Sequence, residues 1–424
     1  MSPTLLLAIL LATLLALGVN ALPADNATAY FSGLEASLIN NGLSGLWNVI
    51  VVANHTETGP DLINKLYSDD QFTIYAPNNA AWETSGLSQP PANGDLVSLL
   101  SYHIVQATLN SSTDIAPIRH HTIAFTELRS PTVDLPGDQT QVIVLETAVN
   151  ATTGQDVNDG SVLVRGDNWN ATSAGEQFVY ENLHIQPVDK ILAVPSPLLK
   201  TLSQSGLAIA ANLGANLAIS AISSAGLNDT LSAECHGCTF FIPVNAAIDG
   251  AANFTGLGDD EKRNVLLNHV LNGSTIYSPD LSPGNAYITS AGMPLIYLAD
   301  DQGKRFVSVG QYRASILRSD IPVSNGVVHL IDTLMIESQN NHDRADSAAS
   351  SASSEAESRT TTTNVIGIGG THAPTQTSSS ATSSTATATS TQAESFALRR
   401  TMSGDVESVM KVSIIALVLG RLWI

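Results

Sequence analysis

The sequence predicts an α+β protein: two tandem copies of one module, followed by a disordered Ser/Thr-rich stalk. Three observations predict it. A phrase occurs twice, "TIYAPNNAAW" from Thr73 to Trp82 and "TFFIPVNAAI" from Thr239 to Ile248, a lag of 166 residues. Each phrase is followed by a helical pattern that ends in histidine, His103 and His269, at the same lag. A fixed long lag is the mark of a repeated fold unit. From residue 339 onward the composition turns to Ser, Thr and Ala with few large apolar residues, too few to offset the entropy of ordering the chain.

The elements follow in chain order. Leu5 to Leu17 is an apolar run ahead of "GVNALP", with Val19 and Ala21 suited to the −3 and −1 positions of signal cleavage. Residues 1–21 therefore read as a signal peptide, since about 13 apolar residues fall short of a bilayer span. The first module is expected over 22–195 and the second over 196–338. Upstream of each phrase lies a helical stretch, "SLINNGLSGLWNVI" and "LAISAISSAGLNDTL". In the phrase itself, Thr and the apolar residues form a strand. Pro77 and Pro243 fix φ and end it. The Asn before the alanines, Asn79 or Asn245, is expected to cap the helix that follows.

Next come helices. Leu96, Leu99, Leu100 and His103 share one face in "NGDLVSLLSYHIV", and Leu266, Leu267 and Val270 do so in "GDDEKRNVLLNHVL", whose opening acids suit the helix dipole. Alternating strands follow, such as "QVIVLETAV", "SVLVRG" and "RFVSVG". Each copy closes on a third pair, "NLHIQPVDKILAVP" and "NGVVHLIDTLMIE", with Asp189 and Asp332 at a lag of 143. The first copy is thus longer between helix and final strand, as a hairpin insertion carrying Asn150 and Asn170 would make it. Thr201 to Asn228 is uncharged, but its Gly, Asn and Ser residues mark buried helices of the second module and not a membrane span.

These residues resemble the fasciclin (FAS1) domain. "TIYAPNNAAW" is similar to the family's first conserved block, "YHIV" to its Tyr-His block and "NGVVHLID" to its second conserved block. The resemblance covers about residues 26–338 and implies two tandem modules, each a twisted β-wedge with packed helices. Two departures stand out. Asn268 precedes the second histidine where the family has Tyr, and the first module's final block reads as two residues longer, "IQPVD" against "LID".

Four histidines, His103, His184, His269 and His329, lie in apolar runs without an H-x-x-x-H or acid-flanked cluster, so they are expected as core histidines bonded to backbone and not as metal ligands. Cys235 and Cys238 make a C-x-x-C. Disulfide, redox pair and metal site are all open to it. A redox motif needs a βαβ context and zinc needs four ligands, whereas even with His236 there are three. A small-loop disulfide, worth about 2 kcal/mol by chain entropy, is the expected state. Asn26, Asn54, Asn110, Asn150, Asn170, Asn228, Asn253 and Asn272 open N-glycosylation triplets, whose mechanism places them on surface loops.

The stalk, 339–402, reads as O-glycosylated. Residues 403–424 combine small residues, a short polar spacer and an apolar tail from Val412, the parts of a GPI-attachment signal with Ser403 or Gly404 as attachment residue. A net charge of −20 excludes nucleic acid as a partner. No G-x-S-x-G, P-loop or dinucleotide fingerprint is present, and neither cofactor nor enzyme activity is expected. The resemblance implies a cell-surface or wall-associated glycoprotein in adhesion or matrix contact. Its expected partners are extracellular-matrix or cell-wall components or surface proteins, with the membrane reached through a lipid anchor. The alternatives are a secreted module binding lipid or polysaccharide, and a glycoside hydrolase with two carboxylates facing a cleft.

Overall fold

The computed structural model describes residues 24–85, 93–117, 120–148, 161–204, 214–301, 303–358 and 364–367. The first module opens with α1 (Ala24–Asn40), α2 (Ser44–Ala53) and α3 (Gly59–Leu66). The apolar α2, buried through Leu46, Trp47, Val49 and Ile50, packs on β1 (Phe72–Pro77), which is buried at every residue. Then come α4 (Asn79–Thr84), α5 (Asn93–Tyr102), β2 (Ile104–Val105), β3 (Thr122–Phe125), β4 (Val142–Thr147), β5 (Val162–Arg165), β6 (Asn170–Thr172), β7 (Phe178–Tyr180) and β8 (Leu183–Val188).

The second module repeats the plan with α6 (Leu198–Ser203), α7 (Asn216–Ser224), α8 (Asn228–Ser232), β9 (Cys238–Pro243), α9 (Asn245–Asp249), α10 (Ala252–Thr255), α11 (Asp259–Leu267) and β10 (Val270–Leu271). It closes with β11 (Ala286–Ile288), β12 (Pro294–Ala299), β13 (Arg305–Val309), β14 (Tyr312–Val323) and β15 (Gly326–Ile331). At the centre of each module the two conserved strands run parallel, β1 beside β8 and β9 beside β15. In the second module the long β14 pairs with β13 along its first part and with β15 along the rest, where the register shifts between Ile316 and Arg318 and again between Arg318 and Ile321, so seven strands make one bent sheet. In the first module the same wedge is split into a four-stranded sheet, β2-β1-β8-β7, and a second sheet built on β3-β4-β5-β6.

The repeated phrase works as a set of backbone clamps. Thr73 Oγ1 donates to Ala107 O and accepts from Leu109 N, at 2.7 and 2.9 Å. Thr239 does the same with Ser274 O and Ile276 N. Each strand ends at its proline. The helix cap differs from the expectation. Asn78, not Asn79, caps α4 by accepting from Ala81 N at 2.8 Å. Asn79 Oδ1 instead accepts from Gly45 N at the start of α2, and Asn245 Oδ1 accepts from Leu217 N at the start of α7. Their side chains satisfy orphan N–H groups of the preceding long helix, because the tight strand–helix corner turns them toward it.

Two further expectations are corrected. The final blocks are equal in length: Phe72 pairs with Leu183 and Cys238 with Gly326, so the lag of 143 holds throughout and there is no two-residue insertion. The stalk does not begin at residue 339. The chain continues into α12 (His342–Ser358) and β16 (Val365–Ile366). Asn341 Oδ1 accepts from Arg344 N at 3.1 Å to start α12, and the helix passes over Gly273, where a Cβ would come within 3.1 Å of Ala349 O. Packing supports this serine-rich helix beyond its modest propensity. β16 then joins β3, giving the sheet order β16-β3-β4-β5-β6. The signal segment, Asn150, Ser403 and Gly404 lie outside the described residues.

Candidate functional site

The histidine of each helical block is a fixed internal brace. His103 Nδ1 donates to Leu99 O at 2.8 Å, and its Nε2 accepts from Leu192 N at 3.0 Å. His269 repeats this with Val265 O at 2.7 Å and Met335 N at 3.1 Å. Complete burial pushes both imidazoles down to about 4, against the opposing pull of the accepting carbonyls. His329, also buried, stacks on Phe241 and reaches Ile276 O through Nε2 at 3.0 Å. His184 departs from the expected core position. The strand register sets Gln186, not His184, opposite His329 in the repeat, and His184 takes a half-buried alternate site beside Thr73. Buried Gln186 accepts from Ser111 Oγ at 2.7 Å and donates to Gly175 O and Pro187 O.

The sulfurs of Cys235 and Cys238 are joined, and both residues are buried at the start of β9. His236 turns away from them and meets Asp134 Oδ2 at 2.7 Å. Gly237 N donates to Asp134 O, and Asp134 N donates to Ser324 O. The short loop therefore docks on the first module. Among the described residues no three His, Cys, Asp or Glu side chains group closely enough to hold a metal ion.

That contact belongs to a continuous seam between the modules. Its apolar part joins Ile123, Val142 and Val144 to Tyr277 and Val327. Gln141 is buried at its edge, with Nε2 donating to Val323 O at 2.6 Å and Oε1 accepting from Tyr277 OH at 3.0 Å. Arg318 sends its guanidinium across to Gly166 O and Asp167 O, and burial and Arg165 hold its pKa down to about 10. His121 stands between Asp320, 2.6 Å from Nδ1, and Glu146, 3.6 Å from Nε2. Asp320 also accepts from the Ser278 N–H and hydroxyl. Burial works to raise its carboxyl, but His121 and Ser278 outweigh it and hold the group well below the usual carboxylate range.

This constellation is a latch. Ser278 donates its hydroxyl to Asp320, and a carboxylate held so far below the usual range is a weak base toward it. Glu146 is engaged by Arg165, and both carboxylates are buried. The sequence reading missed His121, Asp320, Gln141 and Arg318. One signal for them existed: Arg318 and Asp320, two residues apart in the apolar "ILRSDIPV", put opposite charges on one strand face.

Elsewhere, Asn26, Asn110, Asn170, Asn228 and Asn253 are exposed and Asn272 is half-buried. Asn54 departs from the surface expectation. It is 3% exposed at the C-terminal end of α2, which turns it into the core and leaves no room for a glycan on its amide. A cleft of about 790 Å³ opens in the first module between α4, α5 and the chain after β8, with Leu99, Trp169, Ile191 and Val194 lining it and Asp95 and Lys190 contributing charge. Among the described residues no helix is long and apolar enough to cross a membrane.

Comparison with known proteins adds the following. The family model of the fasciclin domain matches twice, over residues 52–195 and 214–337, together more than half of the chain. Among solved structures, the chain is similar to a FAS1 domain pair from the insect cell adhesion molecule Fasciclin I, with 17% identity over 70% of this chain and 98% of that one, at a TM-score of 0.33. No curated protein matches.

Proposed function

Because the chain belongs to the fasciclin domain family, whose domains are known in cell adhesion proteins, we propose that it is a surface or wall-associated glycoprotein. Its two modules make the adhesive or matrix contact, and a glycosylated stalk and lipid anchor hold them out from the membrane. The observation that carries this reading is the seam. Two modules fixed by buried apolar, amide and His121–Asp320 hydrogen-bonded contacts make one stiff head on which five acceptor asparagines are exposed. Such a head suits presentation of a surface more than capture and release.

Cells displaying the protein provide the test. Phosphatidylinositol-specific phospholipase C should release it, and a Ser403/Gly404 double variant should remove that release. Deleting both modules while keeping stalk and anchor should abolish attachment to matrix or to other cells. Unchanged attachment would refute adhesion through the modules. The 790 Å³ cleft beneath Trp169 would then favour the second reading, capture of a lipid or polysaccharide.

A further inference from the structure

The segment after α12 holds a strand that its composition hides. Val365, Ile366 and Ile368 are the only large apolar residues between 339 and 395. Val365 lies opposite Ala124 and Ile366 opposite Ile123. Phe125 N donates to Asn364 O at 3.0 Å, and Thr122 Oγ1 donates to Gly367 O at 3.1 Å. Ile366 joins the apolar seam. Gly367 ends the pair at φ +75, where a Cβ would lie 2.3 Å from His121 O and 2.9 Å from the Pro279 side chain. Only glycine passes between the modules there. Without β16, β3 is the open edge of its sheet, a row of unpaired backbone groups flanked by apolar side chains.

We propose that this edge is a strand-accepting docking site, and that the partner it fits is a second copy of this chain, which supplies its own Val365–Ile366 strand in exchange. The register argues for that occupant. The strand that fits is the chain's own, and a second copy carries it identically, so exchange restores between molecules every contact given up within one. Two ladder residues open far more easily than the module cores. Tethering favours the internal pairing in dilute solution, and crowding of copies favours exchange. The inference deepens the adhesion reading by naming a partner, and rests on it for the crowding.

The register supplies the test. Ala124 and Val365 form a non-hydrogen-bonded antiparallel pair, the arrangement in which side chains approach closely enough for a disulfide. Full-length Ala124→Cys and full-length Val365→Cys are mixed at rising concentration under mild oxidation, beside the double variant. The double variant should close an internal bond. The mixed single variants should give a covalent heterodimer whose yield rises with concentration, several-fold above either alone, and disappears when Ile366→Asp is added to the Val365→Cys chain. Closure in the double variant with no heterodimer from the mixture overturns the exchange, and failure of the double variant to close overturns the pairing itself. Neither result depends on cells, so a failed attachment assay leaves this one standing.

Discussion

His103 and His269 show how a titratable side chain serves as a neutral strut. Each imidazole must keep one nitrogen protonated for a helix carbonyl and the other bare for a backbone amide, so a second proton would break the latter bond. Their folded values, about 4, lie below the 6.5 of the free side chain, so the unfolded chain takes up protons first as pH falls. The stabilisation is therefore complete above pH 6.5 and is lost between 6.5 and 4. At 1.36 kcal/mol per pKa unit it amounts to about 3 kcal/mol for each histidine. Urea denaturation at pH 7 and pH 4.5 should show the loss, and His103→Gln/His269→Gln should flatten the dependence while lowering stability at pH 7. An equal pH slope in the variant would contradict this account. Asp320 acts in a different window: its lowered carboxyl stabilises fully above its free value of 3.8, and that contribution is lost progressively as pH falls below 3.8 toward the group's much lower folded value.

The two strand–helix corners form a comparison within one chain. Asn78 caps α4, whereas Val244 occupies the same place before α9 and its side chain has no atom that can accept a hydrogen bond. Val244→Asn would gain a cap to Ala247 N of about 0.5–1 kcal/mol but give up the burial of a core valine, about 1.5–3 kcal/mol, so the urea midpoint should fall. A raised midpoint would show that the cap outweighs the valine's burial. Much of this corner was legible in the sequence, because strand, proline and helix signals act over five residues. The destination of Asn79 was not, since its partner Gly45 belongs to another helix. His184 misled for a similar reason: sequence shows a histidine in an apolar run, but only strand register decides which residue faces inward. Asn268, the departure from the family's Tyr, gained its meaning only from the structure. Its amide donates to Glu337 O and Gln339 O and steers the chain toward α12, where Tyr102 in the first module bonds Val142 O.

The seam makes two modules behave as one body, and its long-range pairs were invisible to local pattern. His121→Ala would remove the imidazole's hydrogen bond to the buried Asp320, at a cost of about 1.5–3 kcal/mol. Calorimetry should then resolve two melting transitions where a single one is expected for the parent, and a single unshifted transition in the variant would remove the latch from the explanation. The strand β16 also sets an order of events during synthesis. Ile366 is made about 240 residues after its neighbour Ile123, on the order of 10–50 seconds later at roughly 5–20 residues per second. For that interval the nascent first module must keep its shape with one flank bare, exposed to any passing strand. The last-made part of the head is thus the piece that finishes the first-made sheet.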